Sequence, residues 1–440
     1  MRWKNPGNRI LAETIVATFS SPPEKSRRLL SSFSLKDWTT TEFWLDASGL
    51  ALYFLEHVRA TGLGDAVPQP VIQHLEQKLC DNKLRRETMF AEFTAINRLF
   101  SQEGIHYSNL KGFTLSPDSC PDSDLRFQID FDFLIAPEDR DLCRSLLEKI
   151  GYLLTIATRL TWEFKAGTSK AIPKGGQYKS SQHRSVELHF TADETDAVDV
   201  ARDLRLDRLG SWRGLPALSP ADLMIAQAMH ILAHVRSPVT RPSWLLEFRH
   251  HVITRQNDEF FWAELKRLAK FYALAPIALG LSVQLATDLF GSFSFPELDS
   301  WTVEQLPPRI KLWAEHYGRD VLFADIPGTK LYLLLEGELN PGERQPQRRT
   351  LRRLLPFQRV PRVMHSEPGD SLPTRIYQEY VQLRFILFRL RFHVQQGLLY
   401  SIEADRWKRV IASKFPACEP TVILSSRGAV MSQPLVPIKK

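Results

Sequence analysis

The run Phe127-Gln-Ile-Asp-Phe-Asp-Phe-Leu-Ile135 constrains this chain more than any other segment. Successive side chains of a strand leave opposite faces. Read as a strand, the run puts Asp130, Asp132 and Leu134 on one face and Ile129, Phe131, Phe133 and Ile135 on the other. The second set reads as core. Two carboxylates on the first face are costly unless water or a cation neutralises them. Hard divalent ions such as Mg²⁺ take one or two carboxylates together with phosphate oxygens, whereas an exposed strand face carries such pairs with no ion. The run by itself leaves both readings open.

The segments around it narrow the choice. Leu110-Lys111-Gly112 precedes it, and Arg126 stands four residues before Asp130. Residues 137–150 read as a helix closed by Gly151-Tyr152. Val186-Glu187-Leu188-His189-Phe190 is a second alternating strand, with an acid and a histidine on one face.

Taken in this order, these pieces resemble the bacterial family of uncharacterised nucleotidyltransferases, in the superfamily that also holds DNA polymerase β and kanamycin nucleotidyltransferase. The resemblance is clearest over residues 106–190 and looser from about 45 to 290. It implies an α+β fold, a small mixed-sheet nucleotidyltransferase domain flanked by helical regions. It also implies transfer of a nucleoside monophosphate from an NTP to a hydroxyl acceptor, with Mg²⁺ or Mn²⁺ as cofactor. The family's metal-binding and catalytic acids fall on Asp130, Asp132 and Glu187. Its phosphate-holding turn falls on Lys111 and Gly112, with Arg126 a further candidate for the phosphates or a partner of Asp130 or Asp122. The chain departs from the superfamily at Phe113, where a Ser or Gly usually follows the glycine, and Ser116 is the candidate substitute. That departure favours an alternative, a catalytically inactive nucleotidyltransferase-fold module for binding or regulation. Retention of all three acids favours the enzyme. Like charges raise each other's pKa, so the cluster is expected to destabilise the metal-free protein.

The remaining sequence sets bounds. A chain of 440 residues is ample for two or three domains. The expected divisions are 1–104, an N-terminal helical region; 105–200, the α/β domain; 201–300, helices packing on it; and 301–440, a basic, mainly helical extension. Hydrophobic content of 43% with 24% charged residues is that of a soluble globular protein. Glu13 interrupts the apolar run near the N-terminus, so a signal peptide is not expected. No stretch of about 18 residues is apolar and uncharged, which argues against a transmembrane segment. Cys80, Cys120, Cys143 and Cys418 show no paired spacing and read as reduced thiols of a cytoplasmic protein. No internal repeat and no glycine-rich phosphate loop of the Walker or Rossmann kind occurs.

Three further features carry expectations. Between residues 344 and 362 stand seven arginines and no acid, either a solvated loop or a patch with weak affinity for polyanions. Ser219-Pro-Ala-Asp222 marks a helix start, and His230 and His234 on that helix share a face in a packing role or along the substrate cleft. Arg375 to Tyr400 reads as an amphipathic helix, buried against the body or docked on a membrane surface.

Overall fold

The computed structural model describes residues 6–166, 178–179, 184–190, 206–324, 327–340, 354 and 371–415. It opens with five helices: α1 (Pro6–Thr18), α2 (Pro23–Ser31), α3 (Leu35–Ser48), α4 (Ala51–Ala60) and α5 (Gln69–Gln102). Ser34 starts α3 with a capping box. Its hydroxyl accepts from the Asp37 amide, and its own amide donates to the Asp37 carboxylate at 2.9 Å. The apolar residues from Trp44 to Leu55 are divided between α3 and α4. Gly49 adopts a left-handed conformation (φ 75°) that ends α3, and the Ser243 side chain lies where a Cβ would project.

Seven strands form one mixed sheet: β1 (Tyr107–Asn109), β2 (Asp130–Ile135), β3 (Tyr152–Ala157), β4 (Thr161–Ala166), β5 (Arg184–Phe190), β6 (Leu209–Trp212) and β7 (Leu215–Leu218), in the order β3-β4-β5-β2-β1-β7-β6. β2 runs parallel to β5 and antiparallel to β1. α6 (Arg140–Lys149) follows β2 as expected, and Gly151 ends that segment at φ 90°. The chain was expected to turn helical soon after 200. Instead β6 and β7 make a hairpin first, its turn formed by Arg213 and Gly214, both at positive φ. β7 joins the sheet through Asn109 and Ala217. The Lys170–Gln177 turn lies outside the described residues.

The alternation in β2 holds from Phe131 onward, whereas Ile129, expected in the core, precedes the strand and is 40% exposed. Phe131, Phe133 and Ile135, with Val186, Leu188 and Phe190 of β5, bury against Phe93, Ile96 and Phe100 of α5 and Leu146 and Leu147 of α6. Leu134 belongs to the other core, shared with the helices beyond the sheet. The carboxylates therefore face that second layer.

The second layer contains α7 (Pro220–Val235), α8 (Pro242–Thr254), α9 (Glu259–Ala269) and α10 (Ala275–Phe290). Ser219 caps α7 by accepting from the Asp222 amide, with Pro220 in the first turn. α11 (Pro296–Trp301), α12 (Pro308–Trp313), α13 (Arg319–Leu322) and α14 (Tyr332–Leu339) follow, the last resolving the Leu331–Leu335 run as helix. One apolar core joins α1–α4 to these helices. The long α15 (Leu372–Lys414) departs from the expected burial. Of its residues only Gln378 and Trp407 are buried, and Leu383, Leu387, Phe388 and Leu390 are exposed. Its apolar residues lie on all sides, so one packed face cannot cover them. No helix among the described residues is long and apolar enough to cross a membrane. The arginine-rich segment 344–362 falls almost wholly outside the described residues.

Candidate active site

β2 and β5 are in parallel register with Asp132 beside Glu187 and Leu134 beside His189. Paired residues in neighbouring strands leave the sheet on the same face, so the face carrying Asp130 and Asp132 also carries Glu187 and His189. Sequence reasoning expected the three acids to converge, and the register brings Asp132 and Glu187 together. Histidine 189 was visible on that face but was not among the expected site residues. Its position two residues after Glu187 was the available signal.

Asp132 is the centre of the group. Its side chain is fully buried, and Oδ1 accepts from Lys111 Nζ at 3.1 Å and from His189 Nε2 at 3.2 Å. Its other oxygen, Oδ2, is buried with no hydrogen-bond partner. His189 Nε2 also lies 3.5 Å from Glu187 Oε2. One ligand atom each from Asp132, Glu187 and His189 falls within 4.8 Å of the others, a donor set that fits a metal ion.

The electrostatics follow from this arrangement. Burial, reinforced by the charge of Asp132, pushes the Asp130 carboxyl up to about 6. Burial acts in the same direction on Asp132, but Lys111 and His189 outweigh it and hold that carboxyl at about 2. Burial lowers His189, yet hydrogen bonds to Asp132 and Glu187 raise it to about 9. Lys111 is held above its ordinary value against burial by Asp132, Asp130 and Glu187. The expected like-charge destabilisation is thus largely cancelled. Two cations sit among three carboxylates.

Lys111, the candidate for the phosphates, pairs with Asp132. Arg126 does not pair with Asp122 or Asp130. Its Nε lies 3.3 Å from Glu247, a buried carboxylate on α8 that also accepts from Tyr53 at 2.9 Å. Nothing in the local sequence marks Glu247, because it lies 121 residues away. Gly112 has φ 79°, and a Cβ there would lie 2.4 Å from the Gln128 amide nitrogen. Phe113, the departure from the superfamily turn, is buried against Phe93 and Phe131. The carbonyl of Ser116 accepts from Trp212 at 2.6 Å.

A cavity of about 250 Å³ opens beside Lys111, His189 and Arg126 and runs between α7 and α8. His230 lines it and meets Trp244 edge to face at 4.7 Å, and His234 lies 4.2 Å from the same indole. Both pack on Trp244, and of the two His230 is the one that lines the cavity.

No curated protein and no solved structure matches this chain. A family model for uncharacterised nucleotidyltransferases matches residues 34–291, taking in α3 to α10, the whole sheet and the acid cluster. That span is more than half of the 440 residues, and the chain belongs to the uncharacterised nucleotidyltransferase family.

Proposed function

We propose that the protein is a metal-dependent nucleotidyltransferase of the DNA polymerase β superfamily, moving a nucleoside monophosphate from an NTP to a hydroxyl acceptor. The observation that carries this is the buried, unpartnered Oδ2 of Asp132 beside Glu187. A buried carboxylate oxygen with no donor is costly, and a cation supplies what it lacks. Asp130, Asp132 and Glu187 would hold Mg²⁺ or Mn²⁺, with His189 beside them. When bound, the ion would neutralise charge developing on the transferring phosphoryl group.

The acceptor hydroxyl attacks the α-phosphorus and gives its proton to a carboxylate of the acid face, the bond to the bridging oxygen breaks, and pyrophosphate leaves. Lys111, within reach of the carboxylate face, would donate to phosphate oxygens of the nucleotide. Gly112, in the turn beside Lys111, leaves room for the Gln128 amide where a Cβ would stand, and Arg126, fixed by Glu247, adds a second positive charge. In this reading the divisions 1–104, 105–200, 201–300 and 301–440 stand as working domains, and the cytoplasm supplies the nucleotide and reduced thiols. The arginines of 344–362 would add weak, salt-dependent polyanion binding.

The second reading is an inactive module, favoured by Phe113 in the turn and by Lys111 on the metal-binding carboxylate. Incubation with each α-labelled NTP, Mg²⁺ or Mn²⁺ and a cell extract separates the two. Label transferred to an acceptor by the wild type but not by Asp132→Asn supports the enzyme. Metal and nucleotide binding with no transfer to any acceptor supports the module.

A further inference from the structure

The cavity beside the acid cluster has a chemistry of its own. Its walls are mostly apolar, with Leu115, Leu223, Ala226, Met229, Trp244 and Leu274 among them. The charged groups that reach it are already matched: Lys111 by Asp132, Arg126 by Glu247, and Arg236 by Glu336. Burial lowers His230 and takes His234 to about 4, so both rings are neutral at pH 7. Beyond Lys111 and Arg126, which the nucleotide's phosphates would engage, a charged ligand would give up its hydration here without gaining an unpaired counter-charge.

One polar atom is unsatisfied. Gln227 lines the cavity and is only 8% exposed, and its Nε2 has no hydrogen-bond partner. The other end of that amide is fixed, with Oε1 accepting from Ser119 Oγ at 3.2 Å and lying 3.2 Å from His251 Nδ1. A buried amide donor left unpaired is costly; Nε2 exposes almost no surface of its own, so it would meet a ligand oxygen in the cavity after a small turn of the side chain.

Size limits the occupant. An apolar cavity of about 150 Å³ takes benzene, so about 250 Å³ takes a ring system with a short substituent. A nucleobase presents several polar edge atoms, whereas most of the described lining is apolar and its polar groups lie toward Lys111, His189 and His230. The cavity also reaches Lys111 and His189, beside the carboxylates where an attacking hydroxyl must lie.

Building on the proposed function, we propose that this cavity is the acceptor site and that the acceptor is a small, uncharged alcohol or phenol with a largely apolar body, one oxygen of which accepts from Gln227. Aminoglycoside-like polycations, sugars and RNA ends do not fit that description.

The test uses the full chain and four probes in calorimetric titrations: 2-naphthol, naphthalene, kanamycin and a short single-stranded RNA. A first series contains neither metal nor nucleotide, so its outcome is independent of the transfer reaction. Saturable 2-naphthol binding is expected, tighter than naphthalene by about tenfold and not displaced by kanamycin or RNA. Ala226→Phe narrows the cavity from a half-buried position on α7 and is expected to weaken 2-naphthol by at least about tenfold while leaving Mg²⁺–NTP binding intact. Met229→Trp serves the same purpose if the first variant does not fold. The proposal is overturned if folded wild type shows no saturable 2-naphthol binding or prefers kanamycin or RNA. It is also overturned if the filling variants abolish NTP binding and spare 2-naphthol, which would make the cavity a base pocket. Binding of 2-naphthol with no NTP binding anywhere would instead remove the transferase reading and leave the ligand class standing.

Discussion

Asp132 and Glu187 are register partners in adjacent parallel strands, 55 positions apart in sequence and side by side on one face of the sheet. Their charge is matched locally, because Lys111 and His189 both donate to Asp132 Oδ1. Removing Asp132 therefore removes more than repulsion. Asp132→Asn is expected to destabilise the metal-free protein by about 2 kcal/mol, since it leaves two partly buried cations without their common partner. The same change should abolish any rise of the melting temperature with Mg²⁺ or Mn²⁺ and all nucleotidyl transfer. Thermal melts with and without metal check it. A metal-free variant more stable than wild type would show that repulsion dominates.

Gly112 tests the turn. A left-handed conformation costs a residue with a Cβ about 1–2 kcal/mol, and the Gln128 amide occupies the space that Cβ needs. Gly112→Ala is expected to lower stability by at least that amount in urea titration. Adding Gln128→Ala should recover the contact part and leave the backbone part. Complete recovery in the double variant would mean that the positive φ is not maintained.

Arg126 and Glu247 form the third test. Glu247 is 3% exposed, with Arg126 and Tyr53 as its partners. Arg126→Ala strands a buried carboxylate and is expected to cost about 3–5 kcal/mol. Glu247→Gln, which removes the charge but keeps most of the shape, should cost less. A double-mutant cycle on the melting free energies reads the coupling directly. Additive effects would place Arg126 outside the ion pair.

The site was legible where local periodicity sufficed. Two-residue alternation identified the faces of β2 and β5, and the positive φ of Gly112 fits its place in the turn. Partners brought in by tertiary packing were not legible. Glu247 reaches Arg126 from α8, and Lys111 swings onto Asp132, because neither pairing leaves a local pattern. The 209–218 hairpin was missed because its four-residue strands carry Gly210 and Pro216, residues that ordinarily mark loops. In α15 an apolar composition was read as burial. Hydrophobic residues distributed around a helix identify an apolar surface, and what packs against it depends on neighbours that its own sequence does not encode.

The buried histidines of α7 and α8 predict the acid limb of stability. Burial takes His234, His250 and His251 each to about 4, so they stay neutral in the folded state. In the unfolded chain they take up protons below about 6.5. Between these values the unfolded state binds more protons, and stability falls as pH falls, by about 1.4 kcal/mol per pH unit for each histidine that remains neutral. Asp130, raised to about 6, acts in the opposite sense by taking up a proton in the folded state, and offsets about one of the three. The net expectation is a loss of stability from pH 6.5 to 5, a range in which ordinary exposed carboxylates remain largely ionised. Urea titrations at half-unit intervals measure it, and His250→Gln should reduce the slope by about one proton equivalent. A flat profile from pH 6.5 to 5, or an unchanged slope in His250→Gln, would mean that these imidazoles are protonated in the folded protein.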